Sequence, residues 1–405
     1  MSADPSAPAV AIPRRVAAAP AERLRPNMRL LGLLALGHMV IDVNQGALPA
    51  LLPFLKSALA LSYTATGIIV LMANVTSSLI QPLFGYFADK TARRWVLPLS
   101  VLLSSLGIGL TGLAPSYDVV LMLVVITGFG VAAYHPEGYR TATAVAGDRK
   151  VTGVSIFSTG GNIGIAAGPP LITALVTGLG LPGTLGMLIP GILVASLLTA
   201  VLPTLSVPAP SRAQSAAADA PRTMVGAMSL LILVIAVRSW TQLGFTTYVP
   251  FYYLEVLKGD PRMVGTLLAI FLGAGAVGTL IAGPIADRVG VRRYMVSVFL
   301  LATPIAVSFL FVRSALAFVV LGALGFVLVS TFTVSVVLGQ AYMPRNPGMA
   351  SGLIVGFAIG AGGLGVTVLG WIADHWGLIV SLWISALMPL AGFVIALFLP
   401  EPRGR

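Results

Sequence analysis

The nine residues Gly-His-Met-Val-Ile-Asp-Val-Asn-Gln, from Gly37 to Gln45, lie inside the first long apolar segment of the chain, which runs from Leu30 to Leu55. This segment is longer than the roughly 20 apolar residues that a helix needs to span a bilayer. Asp42 comes 12 residues after Leu30, and about 18 Å of helical rise place it near the bilayer centre. A carboxylate at that depth costs roughly 2.5–3.5 kcal/mol to insert. We therefore expect Asp42 to face a protein interior or a water-filled cavity.

The composition of the whole chain is that of a helical membrane protein. Of its 405 residues 57% are hydrophobic and only 9% are charged. There is no cysteine, which excludes disulfides and thiolate metal sites. The three histidines, His38, His135 and His375, are far apart in the sequence, so no metal site is predicted. The net charge of +11 is assigned to loops that orient the helices, and no nucleic-acid partner is expected.

Apolar segments divide the chain into twelve predicted spans. Residues 1–28 are predicted to be a disordered cytoplasmic tail, and the polar stretch 204–223 a cytoplasmic linker. The halves 29–203 and 224–400 then hold six spans each, and 401–405 form a second cytoplasmic tail. The predicted spans are 30–54, 65–87, 95–114, 117–139, 151–178, 184–203, 225–255, 263–286, 293–312, 314–341, 349–372 and 378–399.

Lysine and arginine are distributed unevenly between the two ends of these spans. If the N-terminus is cytoplasmic, 19 of the 24 basic residues lie in the tails and the even-numbered loops, and four lie on the other side. This positive-inside bias predicts that both termini are cytoplasmic, in a bacterial inner membrane. The remaining basic residue, Arg238, lies within a span.

The two halves of the chain repeat each other. Gly-Tyr-Phe-Ala-Asp-Lys at 85–90 corresponds to Gly-Pro-Ile-Ala-Asp-Arg at 283–288, an offset of 198 residues. Gln45 corresponds to Gln242 at an offset of 197, and Gly161 to Gly360 at 199. Two six-helix halves related by an axis along the membrane normal are the parallel-repeat design of one large transporter class. That design places a binding site between the halves, near the midplane.

The loop after the eighth span resembles the signature loop of the major facilitator superfamily. It reads Gly-Pro-Ile-Ala-Asp-Arg-Val-Gly-Val-Arg-Arg at 283–293, and its counterpart at 85–94 departs from the pattern by Ala92 at the second glycine position. The glycine lets two helices approach, and the acid can cap a helix or pair with the arginines, which makes a latch between the halves on the cytoplasmic side. The motif residues are Gly85, Asp89, Lys90, Arg93, Arg94, Gly283, Asp287, Arg288, Arg292 and Arg293.

Within that superfamily, residues 30–170 resemble the fosmidomycin-resistance family of efflux proteins, whereas the second half matches mainly at superfamily level. The matching residues are His38, Asp42 and Gln45, Ser77-Ser78, Gln81-Pro82, His135-Pro136-Glu137, Gly160-Gly161-Asn162 and Gly168-Pro169. The resemblance implies the major facilitator fold and proton-driven export of a small phosphonate antibiotic.

Four titratable residues are candidates for proton coupling. Asp42 is the leading one, and His38, one helical turn away, could stabilise its anion or relay the proton. The alternative is that this pair is a structural clamp between helices. His135 and Glu137, near the end of span 4, form either a second titratable pair at the inner gate or a hydrogen-bonded helix end. Arg140 could neutralise Glu137 in either case.

Arg238 comes 13 residues after Val225, about 20 Å along span 7, so it too is predicted near the midplane. Span 7 has no acid at that depth, and the expected partner is Asp42 across the interface or an anionic substrate such as a phosphonate. A substrate that took Arg238 would free Asp42 to bind a proton; a permanent Asp42–Arg238 pair is the alternative. Substrate binding is assigned to Arg238, Gln45, Gln242, Asn162, Tyr134 and Trp240.

Gly160, Gly164 and Gly168 recur every fourth residue in span 5 and are followed by Pro169. This stripe predicts close packing against another helix. It also resembles the small-residue stripe of exporters in the superfamily, which implies that the glycine–proline end is a pliable gate.

These observations predict an all-α membrane protein, a monomer, that transports by alternating access between its halves. The sequence has no nucleotide-binding Gly-x4-Gly-Lys-Ser/Thr loop, which argues against an ATP-driven pump, and no credible hydrolytic triad, which argues against an enzyme. The leading prediction is a proton-coupled exporter of a small anionic drug such as fosmidomycin, powered by the proton gradient without a cofactor. The alternatives are a transporter of an organic acid metabolite and a sensor or scaffold that has kept the fold but lost transport.

Overall fold

The computed structural model describes residues 26–90, 93–204, 224–345 and 347–401 of the chain. These residues form helices joined by short loops, and no β-strand occurs among them. The predicted tails and linker fall almost wholly outside the described ranges. The bounds of the two halves therefore stay a prediction.

Six helices build the first half, in the order of the predicted spans. They are α1 (Met28–Leu59), α2 (Tyr63–Phe87), α3 (Val96–Leu113), α4 (Tyr117–Val145), α5 (Lys150–Leu179) and α6 (Leu181–Thr204). In α2 the segment Val75–Leu79 is π-helical. A π-helical turn disturbs the regular hydrogen-bond ladder, and such turns are a common cause of helix bending.

Six helices also follow in the second half. They are α7 (Val225–Val256), α8 (Pro261–Val289), α9 (Val291–Phe309), α10 (Ala315–Tyr342), α11 (Pro347–Gly352, Leu353–Ala358 and Ile359–Trp376 together) and α12 (Leu378–Ala396). Within the described residues, eleven helices, all of these but α11, are long and apolar enough to cross a membrane. The middle of α11, like that of α2, is π-helical. The predicted all-α membrane fold is confirmed.

Local sequence sets several of the helix ends. The Ser62 side chain accepts a hydrogen bond from the Ala65 N–H at 3.0 Å and so caps the start of α2. Gly180, Gly290 and Gly377 follow α5, α8 and α11 with φ angles of 72°, 93° and 90°. Residues with a Cβ atom rarely adopt these angles, which is why glycine stands at each of these turns.

The glycine stripe of α5 packs against α1. A Cβ atom built on any of its three glycines would lie closer than 3.0 Å to the α1 backbone. The facing pairs are Gly160 with Ala35, Gly164 with Met39 and Gly168 with Val43. The close packing expected of the stripe is therefore present, and it fixes α5 beside the segment that carries Asp42.

The molecule has a proximal end, where α1 starts and α12 stops, and a distal end, which holds the α1–α2, α7–α8 and α11–α12 connections. The helices that face each other across the halves, α2 with α11 and α5 with α8, meet at the distal end. A Cβ atom on Gly265 of α8 would lie 2.5 Å from the carbonyl oxygen of Pro169 on α5.

The facing helices separate towards the proximal end. A Cβ atom on α11 would lie 2.5 Å from the α2 backbone at Gly370 and 3.0 Å from it at Gly363. At Gly352, nearer the start of α11, a Cβ atom would meet no described atom within 4 Å apart from the backbone of its own helix. The same holds on α8, where contact at Gly265 gives way to open space at Gly283. The structure is therefore closed at the distal end and open at the proximal end.

Candidate functional site

A cavity of about 180 Å³ lies between the two halves. Gln45 of α1 and Gln242 of α7, which correspond in the sequence repeat, both line it. The other polar residues of its lining include Asn74, Ser77, Thr127, Thr246 and Thr247. The cavity thus lies where the repeat predicts a binding site, and its mainly apolar walls carry neutral hydrogen-bonding groups.

His38, Asp42 and His135 form a cluster beside this cavity. Nε2 of His38 lies 3.4 Å from Oδ2 of Asp42, and Nε2 of His135 lies 3.4 Å from Oδ1 of the same carboxylate. His38 is buried, whereas the side chains of Asp42 and His135 are 14% and 16% exposed. Gln45 and Val131, one turn from Asp42 and His135 on their helices, line the cavity. The predicted pair of α1 is thus a cluster of three residues from two helices.

Backbone carbonyl groups fix the orientation of both imidazole rings. Nδ1 of His38 lies 2.8 Å from the carbonyl oxygen of Phe157, and Nδ1 of His135 lies 2.9 Å from that of Val131. Because a carbonyl oxygen only accepts, each Nδ1 carries the hydrogen and each Nε2 faces Asp42. A neutral ring then directs a lone pair at the carboxylate. These lone pairs and the negative carboxylate repel each other. A proton on either Nε2 or on the carboxyl group replaces the repulsion with a hydrogen bond.

The same donor atoms lie within 4.8 Å of one another, a spacing at which a metal ion could also be held. Two imidazoles and a carboxylate are a donor set found in metal sites. The expectation of no metal site was based on the distance between histidines in the sequence. The structure brings His38 and His135 together, so that distance is a poor guide.

Two residues of α5 that sequence reasoning did not assign to the site shape the cluster. The Phe157 ring stacks on the His38 ring with their centroids 4.2 Å apart. A Cβ atom on Gly161 would lie 2.6 Å from Oδ2 of Asp42 and 2.6 Å from Nε2 of His38. A side chain at 161 would therefore displace the Asp42 carboxylate or the His38 ring. The sequence contained one indication of this role: Gly161 does not belong to the stripe of Gly160, Gly164 and Gly168, so helix packing by the stripe does not explain it.

Glu137 lies apart from this cluster. It is buried and forms an ion pair with Arg140, three residues further along α4. His135 faces Asp42 instead of Glu137. The interpretation of His135 and Glu137 as one titratable pair is therefore wrong, and the expected neutralisation of Glu137 by Arg140 is present.

Arg238 is 2% exposed and has neutral partners. Its Nη2 donates to Oε1 of Gln242 at 2.6 Å, and its Nε donates to the carbonyl oxygen of Leu328 at 3.3 Å. Within the described part of the chain no carboxylate forms an ion pair with it. The predicted pairing with Asp42 is wrong in this conformation: Asp42 faces α4 and α5, whereas Arg238 faces α10. Equal depth in the membrane does not bring two side chains together when their helices turn them to different sides.

Comparison with known proteins identifies the family to which the chain belongs. A family model described as Major Facilitator Superfamily matches residues 34–357 and 245–405. The chain belongs to this superfamily. The fosmidomycin resistance protein of Escherichia coli K12 is 32% identical to it over 395 residues, 96% of each chain. YfnC of Bacillus subtilis 168, an MFS-type transporter, is 32% identical over 383 residues, 92% of this chain and 93% of that one.

A solved structure supports the same architecture. The bacterial homologue of the human lysosomal transporter Spinster, in an inward-facing and occupied conformation, superposes with a TM-score of 0.77. The alignment covers 92% of this chain and 96% of that one at 16% identity, which shows a shared fold. The predicted superfamily membership and its fold are confirmed.

Three residues predicted to bind substrate lie away from the cavity of this superfamily member. The Tyr134 hydroxyl is buried and donates to the carbonyl oxygen of Leu34 at 2.8 Å. Nε1 of Trp240 donates to the carbonyl oxygen of Ala361 at 2.9 Å and so joins α7 to α11. Asn162 is exposed. Their contact with substrate stays a prediction.

The arginines of the two superfamily motifs bind helix ends within their own halves. Arg94 donates to the carbonyl oxygen of Leu202 at the end of α6 at 3.4 Å, and Arg292 donates to that of Leu397 at the end of α12 at 2.6 Å. Cations are favoured at helix C-termini by the free carbonyl groups and the helix dipole. The repeat is thus visible in these contacts as well as in the sequence.

The predicted latch between the halves is not closed in this structure. Arg93, Asp287, Arg288 and Arg293 are exposed. Around Gly283 no atom of the described residues lies within 4 Å of a built Cβ atom, and the nearest atom to one on Gly85 belongs to Pro136 of the same half. The side chains of Asp89 and Lys90 lie outside the described residues. An open motif region agrees with the open proximal end.

Proposed function

We propose that the protein exports a small anionic compound in exchange for protons, and that fosmidomycin is one of its substrates. The observation that carries this proposal is Arg238, which is buried, has neutral partners and reaches the cavity through Gln242. A buried guanidinium without a carboxylate partner is suited to an anionic ligand, and a phosphonate can accept two of its hydrogen bonds. The similarity to the fosmidomycin resistance protein of Escherichia coli supports the choice of compound.

Substrate binding then begins with an exchange of partners on Arg238. An anion that enters the cavity meets Gln242, whose amide oxygen occupies the guanidinium Nη2. Because the amide is neutral, a charged oxygen makes the stronger hydrogen bond and displaces it. Gln45, on the opposite wall of the cavity, is placed to bind the other end of a small ligand.

Protons act at the cluster of His38, Asp42 and His135. A proton supplies the cation that the facing Nε2 atoms and the carboxylate require, and its loss leaves lone pairs and negative charge opposed at 3.4 Å. The protonated and deprotonated cluster therefore favour different packing of α1 against α4. Since Gln45 lies one turn from Asp42, a shift of α1 at the cluster also moves the cavity wall.

The charge bias predicts that the proximal end faces the cytoplasm. In that orientation the open structure is the state in which an exporter loads its substrate, and the proton gradient favours uptake of protons at the other face. The choice of export over uptake is supported by the similarity to the fosmidomycin resistance protein.

The test uses inside-out vesicles with an acidified lumen and radiolabelled fosmidomycin. We expect accumulation in the lumen that collapses with a protonophore and is lost in Asp42→Asn. Asp260→Asn removes a carboxylate from the distal loop and is the matched control that retains transport. The assay is repeated with a chelator, because a metal ion in the cluster, unlike a proton, is removed by it. No accumulation by folded, inserted protein would overturn the substrate assignment.

A binding measurement separates the two parts of the proposal. Fosmidomycin should raise the melting temperature of the wild type and of Asp42→Asn, but not that of Arg238→Gln, which removes the guanidinium and keeps an amide. Equal stabilisation of Arg238→Gln would exclude Arg238 as the anion receptor. If Asp42→Asn did not bind fosmidomycin, Asp42 would be needed for binding as well as for proton coupling, and the division of roles would be excluded.

Arg238 would serve other small anions as well, so an organic acid metabolite is the second candidate substrate. The same melting assay with a set of carboxylates, sulfonates and phosphonates distinguishes it from fosmidomycin. A ligand that stabilises the protein but never accumulates in vesicles would favour a sensor or scaffold.

A further inference from the structure

A set of polar side chains joins the two halves at the distal end and takes no part in the site described above. Lys56 of α1 and Tyr63 and Thr64 of α2 come from the first half. Glu255 of α7 and Asp374 of α11 come from the second half. We call these five residues the distal clasp.

The Asp374 carboxylate binds the start of α2. It accepts hydrogen bonds from the Tyr63 N–H at 2.8 Å, the Thr64 N–H at 2.9 Å and the Thr64 hydroxyl at 2.5 Å. The first N–H groups of a helix have no partner within the helix and attract negative charge. Partial burial of Asp374 raises its pKa, but the hydrogen bonds from Thr64 and Tyr63 outweigh burial and bring the pKa below its usual value. The carboxylate is therefore charged at neutral pH.

Glu255 forms the second part of the clasp. Its Oε1 lies 3.4 Å from Nζ of Lys56, and its Oε2 accepts a hydrogen bond from the Tyr63 hydroxyl. The Lys56 ammonium group also lies 4.3 Å from the centre of the Tyr63 ring. Tyr63 thus contacts both carboxylates of the other half, one through its backbone and one through its side chain.

The contact related to the clasp by the repeat has different chemistry. There α8 starts beside α5, with Gly265 packed on the Pro169 carbonyl, and Asp260 caps its own helix by accepting from the Arg262 N–H at 2.9 Å. At the offset of 199 residues, Asp374 corresponds to Leu175. Both helix starts are therefore capped from within their own half, α8 by Asp260 and α2 by Ser62. Among the described residues, the start of α2 also binds a carboxylate of the other half, that of Asp374.

This asymmetry gives the clasp a consequence for transport. When the halves part at the distal end, the start of α8 keeps its cap, but the start of α2 loses two hydrogen-bond acceptors. Water can replace them because Asp374 is exposed. The distal contact is thus stable when closed and still able to open.

We propose that Asp374, by capping α2 across the interface, sets the fraction of molecules that are closed at the distal end. The proposal rests on alternating access in the proposed transporter, but on neither its substrate nor its coupling ion. Removal of the carboxylate shifts the equilibrium towards the distal-open state. The shift is about fivefold, the factor that corresponds to loss of one helix cap.

The test measures access to the cavity from each side of the membrane. The chain has no cysteine, so Thr246→Cys, in the cavity lining, provides a single thiol. A membrane-impermeant maleimide is applied to vesicles of either orientation, without substrate. In Asp374→Ala we expect labelling from the distal side to rise about fivefold and labelling from the proximal side to fall. Asp374→Asn, which keeps one acceptor oxygen, should lie in between.

Asp260→Ala is the control, because it removes a helix cap at the same end that α8 receives from within its own half. Its labelling from both sides should equal that of the parent. Unchanged labelling in Asp374→Ala would overturn the proposal. A rise from both sides would also overturn it, since it would show that Asp374 stabilises the fold and not one of its states. Because no ligand is present, neither result depends on the substrate assignment.

Discussion

At the scale of single residues, the two charges predicted near the midplane, Asp42 and Arg238, have different kinds of partner. Asp42 faces two imidazoles, which can gain or lose a proton, whereas Arg238 faces an amide and a carbonyl group, which cannot. A proton can therefore neutralise the first site, and only an anion can neutralise the second. In the proposed function, this division of chemistry assigns proton coupling to the Asp42 cluster and substrate binding to Arg238.

The sequence predicted which residues form the site more accurately than it predicted which residues they contact. The His38–Asp42 pair is local, because residues four apart share a helix face. His135 joins them through the crossing of α4 and α1, and the partners of Arg238 depend on how α7 is rotated towards α10. Neither the crossing nor the rotation can be read from depth along a span. The pairing of Asp42 with Arg238 failed for that reason.

Gly161 provides a test of the cluster at this scale. In Gly161→Ala the new Cβ atom would lie 2.6 Å from both Asp42 and His38, so the pair must move apart. We expect proton-driven accumulation to fall by at least about tenfold, because small displacements of reacting groups are costly. Stabilisation by fosmidomycin should remain, since Arg238 is untouched. Gly178→Ala on the same helix, where the Cβ atom meets nothing within 4 Å, should transport normally. Normal transport by Gly161→Ala would contradict the role of the cluster.

At the scale of helices, the sequence predicted the existence and the order of the membrane-spanning helices well. About 20 consecutive apolar residues are a local signal, because the thickness of the bilayer sets the length of a span. The repeat also predicted a site between the halves. It did not predict which helices would meet where. The π-helical segments in α2 and α11, and the separation of these helices towards the proximal end, arise from packing between residues far apart in the sequence.

The α1–α5 contact predicts that alanine substitutions at two glycines of α5 change the stability of the protein in opposite directions. Gly164→Ala places a Cβ atom against the Met39 backbone, which should cost about 1–3 kcal/mol by overpacking. Gly178→Ala has free space, and alanine is the better helix former by about 0.5–1 kcal/mol. Thermal unfolding in detergent should show a lower midpoint for the first and an equal or higher midpoint for the second. Equal midpoints for both would mean that α1 and α5 do not pack as closely as described.

At the scale of the whole molecule, the halves touch at the distal end and part at the proximal end. In the proposed alternating-access cycle, transport requires the distal contacts to break. Joining Lys56→Cys in the first half to Glu255→Cys in the second with a short, cleavable bifunctional maleimide should hold that end closed. Each thiol has one possible partner, since the chain has no other cysteine.

We expect transport to fall to background after this cross-link and to recover when the linker is cleaved. Lys258→Cys in the α7–α8 loop with Arg262→Cys in the first turn of α8 is the control: the same reagent bridges these residues without joining the halves, and transport should persist. Binding of fosmidomycin should survive the cross-link, because the cavity stays open at the proximal end. If the cross-linked protein transported at the full rate, substrate would have to cross without separation of the halves at Lys56 and Glu255, and alternating access by this opening would be excluded.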